Sequence, residues 1–559
     1  MQSCDLDISV VTYHSGRWLE GFVRSILASD LDLNRVRLLF MDHSSDRKCV
    51  DELEDLRRRH GSAFSGFEIR RQRNRGFGGG HNANLKHAKA PYFLVTNIDL
   101  EFEPTTLSRL LSCAAQSGDN VASWEPRQKP YEHPKNYNQV TMETLWSSHA
   151  CVLLRTQALR QVGGYERWLF LYGEDVELSY RLRDRGYVLK YCPQAVVWHY
   201  TYDEAYAFKW RQFLGSSLAN FFIRLRYGTL GHIAYVPLMY ANLWRCKSPF
   251  PWKYARLLLA GMELVAKAPF FLLSRRTSKA RFPIRGYDYL LARDGAFEVL
   301  EPYPAETPLV SVIIRTYQGR QGFLQEAIQS VFNQTYRPIE ILVVEDGTDY
   351  AALWLKTLKV PEGINIRHLP VEKGGRCVAG NRGLEAAQGE FVNFLDDDDL
   401  FFADHLETLV IQLQANPQCG AVYGNAWEVA TRVHSTDPLS YTEVMHSGRY
   451  RQPFSRRLLW RQNYIPIQTI LFRQSLFRAH GGFDLELDAL EDWHLWIKYS
   501  LDADFVYVPK TTSIYRTPAD PDVASERQEH LDRYYDEVIA KLGKMVIKKS
   551  ADELLKYLN

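Results

Sequence analysis

Short apolar runs alternate with helically spaced apolar residues in two separate parts of the chain. The apolar runs cover residues 7–12, 36–41, 310–314 and 339–344, and the helical patterns cover 18–27 and 323–332. The runs are too continuously apolar to have a solvent-facing side. Strand, helix and strand in this order predict an α/β fold in which helices cover a parallel sheet. Ligands of such sheets bind beyond the carboxyl ends of the strands.

The same series of polar motifs follows these runs twice, in the same order and at nearly the same spacing. The paired motifs are Thr12-Tyr13 and Thr316-Tyr317, Asp42 and Asp346, Asn97-Ile98-Asp99 and Asp396-Asp397-Asp398, Gly163-Gly164-Tyr165 and Gly481-Gly482-Phe483, and Glu174-Asp175 and Glu491-Asp492. An ordered series of this kind indicates two copies of one domain. We therefore predict a first domain over 1–200, a helical connector over 201–305, a second domain over 306–518 and a helical tail over 519–559.

A run of four aspartates, 396–399, follows an apolar strand pattern in the second copy. A solvated acidic loop is one interpretation. The apolar residues Leu395 and Phe401 instead indicate partial burial, where carboxylates need cationic or metal partners. Oxygen ligands in a D-x-D pattern suit Mg²⁺ or Mn²⁺ bound together with substrate phosphates, so we favour metal and diphosphate binding here.

The connector between the copies is rich in aromatic and basic residues. Its segment 252–273 is apolar but interrupted by Arg256, Glu263 and Lys267, and a basic flank follows it, formed by Arg275, Arg276, Lys279, Arg281 and Arg285. An amphipathic segment at the surface of an anionic membrane is one interpretation. A helical linker packed on both domains, with solvated charges, explains the pattern equally well.

Composition and charge narrow the class of protein. At 559 residues the chain is too long for one core, and 46% hydrophobic with 24% charged residues is an ordinary globular composition. The net charge of +2 gives no reason to expect a nucleic-acid partner. The eight cysteines form no CxxC pair, and Asp5 and Asp7 stand where a signal peptide would be basic. These features predict a cytoplasmic protein.

The combined motifs resemble those of family 2 glycosyltransferases, which have the GT-A fold. In the second copy the resemblance rests on the segments 310–317, 341–348, 394–399, 481–484 and 490–493. The first copy is similar to the rhamnosyltransferase-like branch through 74–82, 163–165 and 170–177. The matches span about 7–200 and 308–517. The resemblance implies two tandem GT-A domains that transfer sugars, with inversion, from nucleotide-diphosphate donors.

The resemblance also implies roles for particular residues. Asp175 and Asp492 would be the general bases, each paired with a preceding glutamate, Glu174 or Glu491. The bland alternative is a pair of acids in the first turn of a helix. The residues that would bind the donor are Thr12, Tyr13, Asp42, Arg75, Gly78, Gly79, Asn97, Thr316, Tyr317, Glu345, Asp346, Lys373, Arg376 and Asp397. Among these, the glycines would let the backbone approach the ligand closely. The alternative is that they only form a flexible loop.

The metal ligands implied by the resemblance are Asp99 and His199 in the first copy and Asp396 and Asp398 in the second. Each copy would bind Mg²⁺ or Mn²⁺, more weakly in the first because Asn97 replaces a carboxylate. The alternative to a metal ligand is that His199 is a core histidine whose hydrogen-bonding groups are satisfied. The second copy has Arg516 and no histidine at the comparable place, so either its metal rests on the aspartates or Arg516 serves the diphosphate.

These inferences predict a bifunctional enzyme that extends a bacterial surface polysaccharide or a lipid-linked glycan. The resemblance favours dTDP-rhamnose as the first donor and a UDP-hexose or UDP-N-acetylhexosamine as the second. The enzyme would be cytoplasmic, or peripheral on the inner face of the cytoplasmic membrane. In one alternative a single copy is catalytic and the other is a glycan-binding or docking module, and in another the acceptor is a protein such as flagellin. A nucleotidyltransferase would share the fold but not the Gly-Gly-aromatic and Glu-Asp motifs.

Overall fold

The computed structural model describes residues 5–132, 135–200, 209–247, 250–275, 280, 292–295 and 307–546. The chain divides into two compact units, one formed by 1–292 with 296–300 and the other by 293–295 with 301–559. Four residues of the predicted basic flank, Arg276, Lys279, Arg281 and Arg285, lie outside the described residues, as does the end of the predicted tail.

The first unit alternates strands and helices and then continues into three longer helices. Its strands are β1 (Leu6–Thr12), β2 (Val36–Asp42), β3 (Gly66–Arg71), β4 (Tyr92–Thr96), β5 (Leu100–Phe102), β6 (Val121–Lys129), β7 (Glu143–Thr144), β8 (Cys151–Arg155) and β9 (Val188–His199). Its helices are α1 (Gly16–Leu27), α2 (Lys48–His60), α3 (Gly76–Leu85), α4 (Thr106–Ala115), α5 (Thr156–Gln161), α6 (Glu174–Asp184), α7 (Trp210–Tyr227), α8 (Leu230–Arg245) and α9 (Lys253–Leu273).

The second unit follows the same plan. Its strands are β10 (Val310–Tyr317), β11 (Ile339–Asp346), β12 (Ile364–Val371), β13 (Phe391–Asp396), β14 (Leu400–Phe401), β15 (Ala421–Thr436), β16 (Leu439–Tyr450), β17 (Ile470–Arg473) and β18 (Phe505–Pro518). Its helices are α10 (Gln321–Phe332), α11 (Ala352–Leu355), α12 (Gly375–Ala386), α13 (His405–Ala415), α14 (Arg456–Leu459), α15 (Gln474–His480), α16 (Glu491–Ser500) and α17 (Pro521–Gly543). Both predicted strand-helix-strand series are confirmed.

The two sheets have the same strand order. The first runs β3-β2-β1-β4-β8-β6-β9-β5 and the second β12-β11-β10-β13-β17-β15-β18-β14. This identity confirms two tandem α/β domains of one fold, which is the GT-A fold. The predicted parallel pairing is confirmed for β1 with β2 and for β10 with β11, whereas β8 and β5 run antiparallel to their neighbours, as β17 and β14 do. Strand β8 follows an irregular loop and β17 follows a short 3-10 helix, Ile467–Thr469, and antiparallel neighbours need no crossover helix.

The cores lie between these sheets and the helices on them. Strand β2 is buried along its whole length, which is why its sequence is apolar without alternation. Helix α1 buries Leu19, Phe22, Val23 and Ile26 on one side, at the spacing of a helix face. Its counterpart α10 buries Phe323, Leu324, Ala327, Ile328 and Val331.

The connector is mainly helical between residues 209 and 275, as predicted. Helices α7, α8 and α9 share an apolar cluster of their own that includes Phe221, Val236 and Leu257. No helix among the described residues is both long enough and apolar enough to cross a membrane.

A short stretch before the second copy packs into the second unit. Arg293 donates a hydrogen bond of 3.0 Å to Asp404, and the ammonium of Lys510 lies 2.8 Å from the same carboxylate. The guanidinium of Arg293 also lies 4.6 Å from the ring centre of Phe402. The stretch 293–295 therefore belongs structurally to the second unit, although the motifs place it within the predicted connector.

Candidate functional site

The carboxyl ends of β10 and β13 bring an arginine and the aspartate run together in the second unit. Arg315 donates two hydrogen bonds, of 2.7 and 2.8 Å, to Asp396 and a third, of 2.9 Å, to Glu491. Burial works to raise the pKa of Asp396, but the charge of Arg315 outweighs burial and the pKa is lowered. The sequence prediction did not include Arg315, whose carboxylate partners are distant in the chain.

A second arginine neutralises the middle of the aspartate run. Arg320 donates to Asp397 at 2.6 and 3.0 Å and lies 2.7 Å from Asp398, and Thr316 donates to Asp397 at 2.7 Å. Burial and the charge of Asp398 raise the pKa of Asp397 to about 6. Asp398 keeps 40% of its side chain exposed. Asp398 also pairs with Arg320, but it is more exposed than Asp396 (29%) and Asp397 (5%), so it is the carboxylate of this group that best fits a divalent ion.

The last aspartate of the run contributes to structure. Asp399 is buried and accepts a hydrogen bond of 3.0 Å from the backbone N–H of Arg516. The side chain of Arg516, which was expected to serve the diphosphate, donates to Glu326 and to the hydroxyl of Tyr441, both at 2.6 Å. Arg516 thus ties β18 to α10 and to the β15–β16 hairpin.

The acid pair of the second unit begins helix α16. Asn463 donates to both oxygens of Asp492 at 3.1 Å, and the backbone N–H of Trp493 donates to one of them at 2.7 Å. Burial, followed by the charge of Glu491, raises the pKa of Asp492 to about 7. A carboxylate with this pKa suits general-base chemistry near neutral pH. The sequence prediction missed Asn463, which belongs to no recognised motif.

The acid pair of the first unit begins helix α6 but lacks an arginine. Strand β1 has Val11 at the position of Arg315 in β10. One oxygen of Glu174 is buried without a hydrogen bond among the described residues, and burial together with the charge of Asp175 raises the pKa of Glu174 to about 8. Burial also raises the pKa of Asp175, which accepts a hydrogen bond of 2.8 Å from the N–H of Val176.

The predicted metal ligands of the first unit lie side by side. The Nε2 atom of His199 is 3.6 Å from an oxygen of Asp99, and its Nδ1 atom lies 3.0 Å from the side-chain oxygen of Gln128. The Gln128 oxygen accepts a hydrogen bond from Nδ1 and so holds the ring hydrogen on that atom. Nε2 is then unprotonated, with its lone pair towards Asp99. Nε2 is buried without a hydrogen bond among the described residues. These two groups fit a divalent ion, although the described chain forms no cluster of three potential ligands.

The predicted base-reading aspartates are held differently in the two units. Asp42 accepts from Thr12 at 2.9 Å and from Ser44 at 2.7 Å. Asp346 accepts from the N–H of Gly374 at 2.7 Å and lies 2.9 Å from the ammonium of Lys373. Burial works to raise the pKa of Asp346, but these contacts outweigh it and the pKa is lowered.

The remaining residues predicted to bind the donor differ in their exposure and in their hydrogen bonding. Tyr13 and Tyr317 are exposed to 55 and 51%, which suits a role in lining a pocket. Arg75 and Arg376 are exposed near the beginnings of α3 and α12, and Asn97 is partly buried after β4. Both oxygens of Glu345 are engaged, through the N–H groups of 350 and 351, Thr348 and His368.

The glycines of α3 serve packing in this structure. A Cβ atom on Gly78 would lie 2.6 Å from the Cβ of Tyr165, and one on Gly79 would lie 2.7 Å from the Cβ of Arg75. The absence of side chains lets α3 approach the loop that leads to the acid pair. Binding of a ligand to this backbone stays a prediction.

An asparagine clasp fixes the Gly-Gly-aromatic loop in both units. Asn82 accepts from the N–H of Tyr165 at 2.7 Å and donates to its carbonyl at 2.9 Å. Asn381 makes the same two bonds with Phe483, at 2.7 and 3.0 Å. The loops so fixed lead into α6 and α16, so the clasp helps to position each acid pair.

Both α/β domains thus have a carboxylate pair at the beginning of a helix, behind a loop that an asparagine fixes. The model of the family described as "Glycosyl transferase family 2" matches residues 7–164 and 311–481, more than half of the chain. The chain belongs to this family of glycosyltransferases.

Individual relatives resemble less than half of the chain. The uncharacterised glycosyltransferase YwdF of Bacillus subtilis is 28% identical over 240 residues, covering 40% of this chain and 82% of YwdF. The putative colanic acid biosynthesis glycosyl transferase WcaA of Escherichia coli is 29% identical over 198 residues, covering 34% of this chain and 66% of WcaA. The mannosyltransferase PcManGT of Pyrobaculum calidifontis, solved with GDP-Man and Mn²⁺, matches with a TM-score of 0.33 and 15% identity, covering 49% and 73% of the two chains.

Proposed function

We propose that both units are catalytic and that the protein adds two different sugars to one growing glycan. The observation that carries this proposal is the acid pair. In both units a buried glutamate and an aspartate with a raised pKa begin a helix that an asparagine clasp positions. Buried carboxylates with raised pKa values are costly for stability, and they are typical of sites that transfer protons.

In the proposed reaction the acceptor hydroxyl attacks the anomeric carbon of the sugar. The new C–O bond forms as the bond to the diphosphate breaks, and the electron pair leaves with the nucleoside diphosphate. The hydroxyl proton passes to Asp175 in the first unit and to Asp492 in the second. A divalent ion, bound by Asp99 and His199 or by Asp398, would neutralise charge on the diphosphate.

The second unit has a further source of positive charge for the donor. The charges of Glu491 and Asp396 act on Arg376, whose pKa is raised although its partial burial works to lower it. Arg376 is therefore a cationic partner for a diphosphate, and we propose that Lys373 binds the same group. We propose that Tyr13 with Asp42, and Tyr317 with Asp346, bind the nucleoside ends of the two donors.

We propose dTDP-rhamnose for the first unit and a UDP-hexose or UDP-N-acetylhexosamine for the second. The acceptor would be a bacterial surface polysaccharide or lipid-linked glycan, made at the cytoplasmic face of the membrane. The similarity to WcaA, named for colanic acid biosynthesis, supports a polysaccharide acceptor.

The test uses the full chain with a panel of nucleotide sugars and two variants. Asp175→Asn and Asp492→Asn keep the side-chain shape but cannot accept a proton. Each should lower the transfer of one sugar by about 10²- to 10⁴-fold and leave the other transfer intact. Nucleoside diphosphate release and the mass of the product report the two transfers separately.

Asp119→Asn and Asp536→Asn are the matched controls, because both side chains are exposed and distant in sequence from the acid pairs. Both controls should keep both activities. Wild-type product at wild-type rate from Asp175→Asn would make the first unit a binding module, and the same result from Asp492→Asn would do so for the second.

A further inference from the structure

Helices α8 and α9 expose large apolar side chains on a shared surface, which we call the α8–α9 face. It comprises Leu238, Leu258, Leu259, Met262, Val265 and Leu273, which are exposed to between 59 and 89%. The two helices pack together, with the hydroxyl of Tyr240 donating 2.7 Å to the carbonyl of Leu257 and the rings of Trp244 and Tyr254 stacked. The exposed residues therefore lie on two helices that pack against each other.

The charged residues of α9 point away from this face. Arg256 stacks on the ring of Trp210 at 3.6 Å. Lys267 pairs with Glu263 at 2.5 Å and donates to the carbonyl of Trp168 at 2.8 Å. Arg256, Glu263 and Lys267 are only partly exposed, whereas the leucines of the face are exposed. A helix facing water has the opposite arrangement, with charges outside and leucines inside.

The inner side of α9 is apolar as well. Leu257, Ala260 and Phe271 are buried in the cluster shared with α7 and α8. A helix that is apolar on both sides needs an apolar environment on both, and among the described residues only the inner one is provided.

We propose that the α8–α9 face binds an anionic lipid bilayer by lying in its interfacial layer. Basic residues border the face at both ends, with exposed Arg245 as the last residue of α8, exposed Lys247 just after it and exposed Arg275 after α9. Anionic headgroups complement such a border. Trp252 is 80% exposed just before α9, and tryptophan favours the boundary between headgroups and acyl chains.

The charge of this border selects lipid over a second copy of the chain. Two copies pairing through this face would bring positive ends against positive ends in either orientation, because both ends are basic. Like charges across an interface oppose association. A bilayer accepts the apolar side chains and supplies the anions together.

This inference rests on the proposed function only for its purpose, since a lipid-linked acceptor would be presented at the same surface. The binding itself is measured without any sugar. The full chain is sedimented with sucrose-loaded vesicles of phosphatidylcholine alone or of phosphatidylcholine with phosphatidylglycerol, at low and high salt. We expect binding to the anionic vesicles at least about tenfold above the neutral ones, and weaker binding at high salt.

Two variants locate the contact. The triple variant Leu258→Gln, Met262→Gln, Val265→Gln should lower vesicle binding about tenfold or more, and Arg245→Glu with Lys247→Glu should remove the preference for anionic vesicles. The control is Leu353→Gln with Leu485→Gln in the second unit, which are exposed to 78 and 66%. It should bind like the wild type. All variants should keep the wild-type thermal midpoint, because none removes a buried contact.

Several results would overturn the proposal. A wild type that stays in solution with anionic vesicles would do so, as would a triple variant that still sediments. A dimer seen by light scattering that the triple variant abolishes, without vesicle binding, would assign the face to a second copy. Nucleotide-sugar hydrolysis is measured on the same proteins. Vesicle binding without hydrolysis would remove the proposed function and leave this inference standing, and the reverse result would remove only this inference.

Discussion

Arg315 donates a hydrogen bond of 2.9 Å to Glu491, and through it the acid pair of the second unit is linked to the aspartate run. In the first unit all three groups that correspond to this link differ in charge. Val11 replaces the arginine, Asn97 replaces Asp396, and Glu174 has a pKa of about 8, so that it is mostly protonated at neutral pH. Loss of one buried cation is thus matched by loss of two buried anions, as the high cost of unpaired buried charge requires.

Arg315→Met should destabilise the second unit by about 3 kcal/mol, because Asp396 and Glu491 would stay buried without their cation. Adding Asp396→Asn, which imitates the first unit, should recover most of this loss. Calorimetry of the full chain measures both. Arg382→Met, which removes an exposed ion pair with Glu385, is the control and should cost less than about 0.5 kcal/mol. A double variant no more stable than Arg315→Met would contradict the charge-balance argument.

The activity of the second unit should depend on the deprotonation of Asp492, whose pKa is about 7. We expect kcat/KM to rise about tenfold per pH unit below this value and to level off above it. Asn463 donates to the charged carboxylate and so lowers its pKa. Asn463→Ala should therefore move the inflection of the pH profile upwards. An unchanged or downward-shifted inflection would show that Asp492 is not the group that titrates.

Glu174 should make the first unit less stable as pH rises from about 4.5 to about 8. Its pKa is raised from 4.5 to about 8, so in this window the folded state holds a proton that the unfolded state releases. Glu174→Gln removes this penalty. The variant should gain about 1 kcal/mol or more, roughly 2–4 °C in thermal midpoint, over wild type at pH 8, and little at pH 5. The exposed Glu143→Gln serves as control, and an equal gain at both pH values would contradict the assignment.

Metal dependence should separate the two units. His199→Ala should raise the half-saturating Mn²⁺ concentration of the first activity at least about tenfold, since it removes the lone pair that faces Asp99. Asp398→Ala should abolish the metal response of the second activity only. His87→Ala, an exposed histidine, is the control. Full activity of both units in excess chelator would show that neither Asp99 with His199 nor Asp398 serves a metal.

The fold was largely predictable because the strands are buried on both sides and so stand out as apolar runs. The antiparallel strand β8 was not, because a buried strand has the same composition in either direction. The aspartate run was visible, but its partners Arg315 and Arg320 lie 81 and 77 residues earlier in sequence. One signal was available, since the two copies differ together at Val11 and Asn97. No comparable signal pointed to Gln128 or Asn463, which act through hydrogen bonds made only in the folded chain.

Arg293 determines where an expressed fragment of the second unit has to begin. Its guanidinium fills the space between Asp404 and Phe402, beside the ammonium of Lys510. A fragment that begins at residue 306, where the motifs place the boundary, would lack this side chain and leave Asp404 with a single cation over an open gap. Such a fragment should be less stable by about 3 kcal/mol for reasons unrelated to catalysis, and a low activity would then be mistaken for a missing function. A fragment that starts upstream of Arg293 keeps the second unit whole.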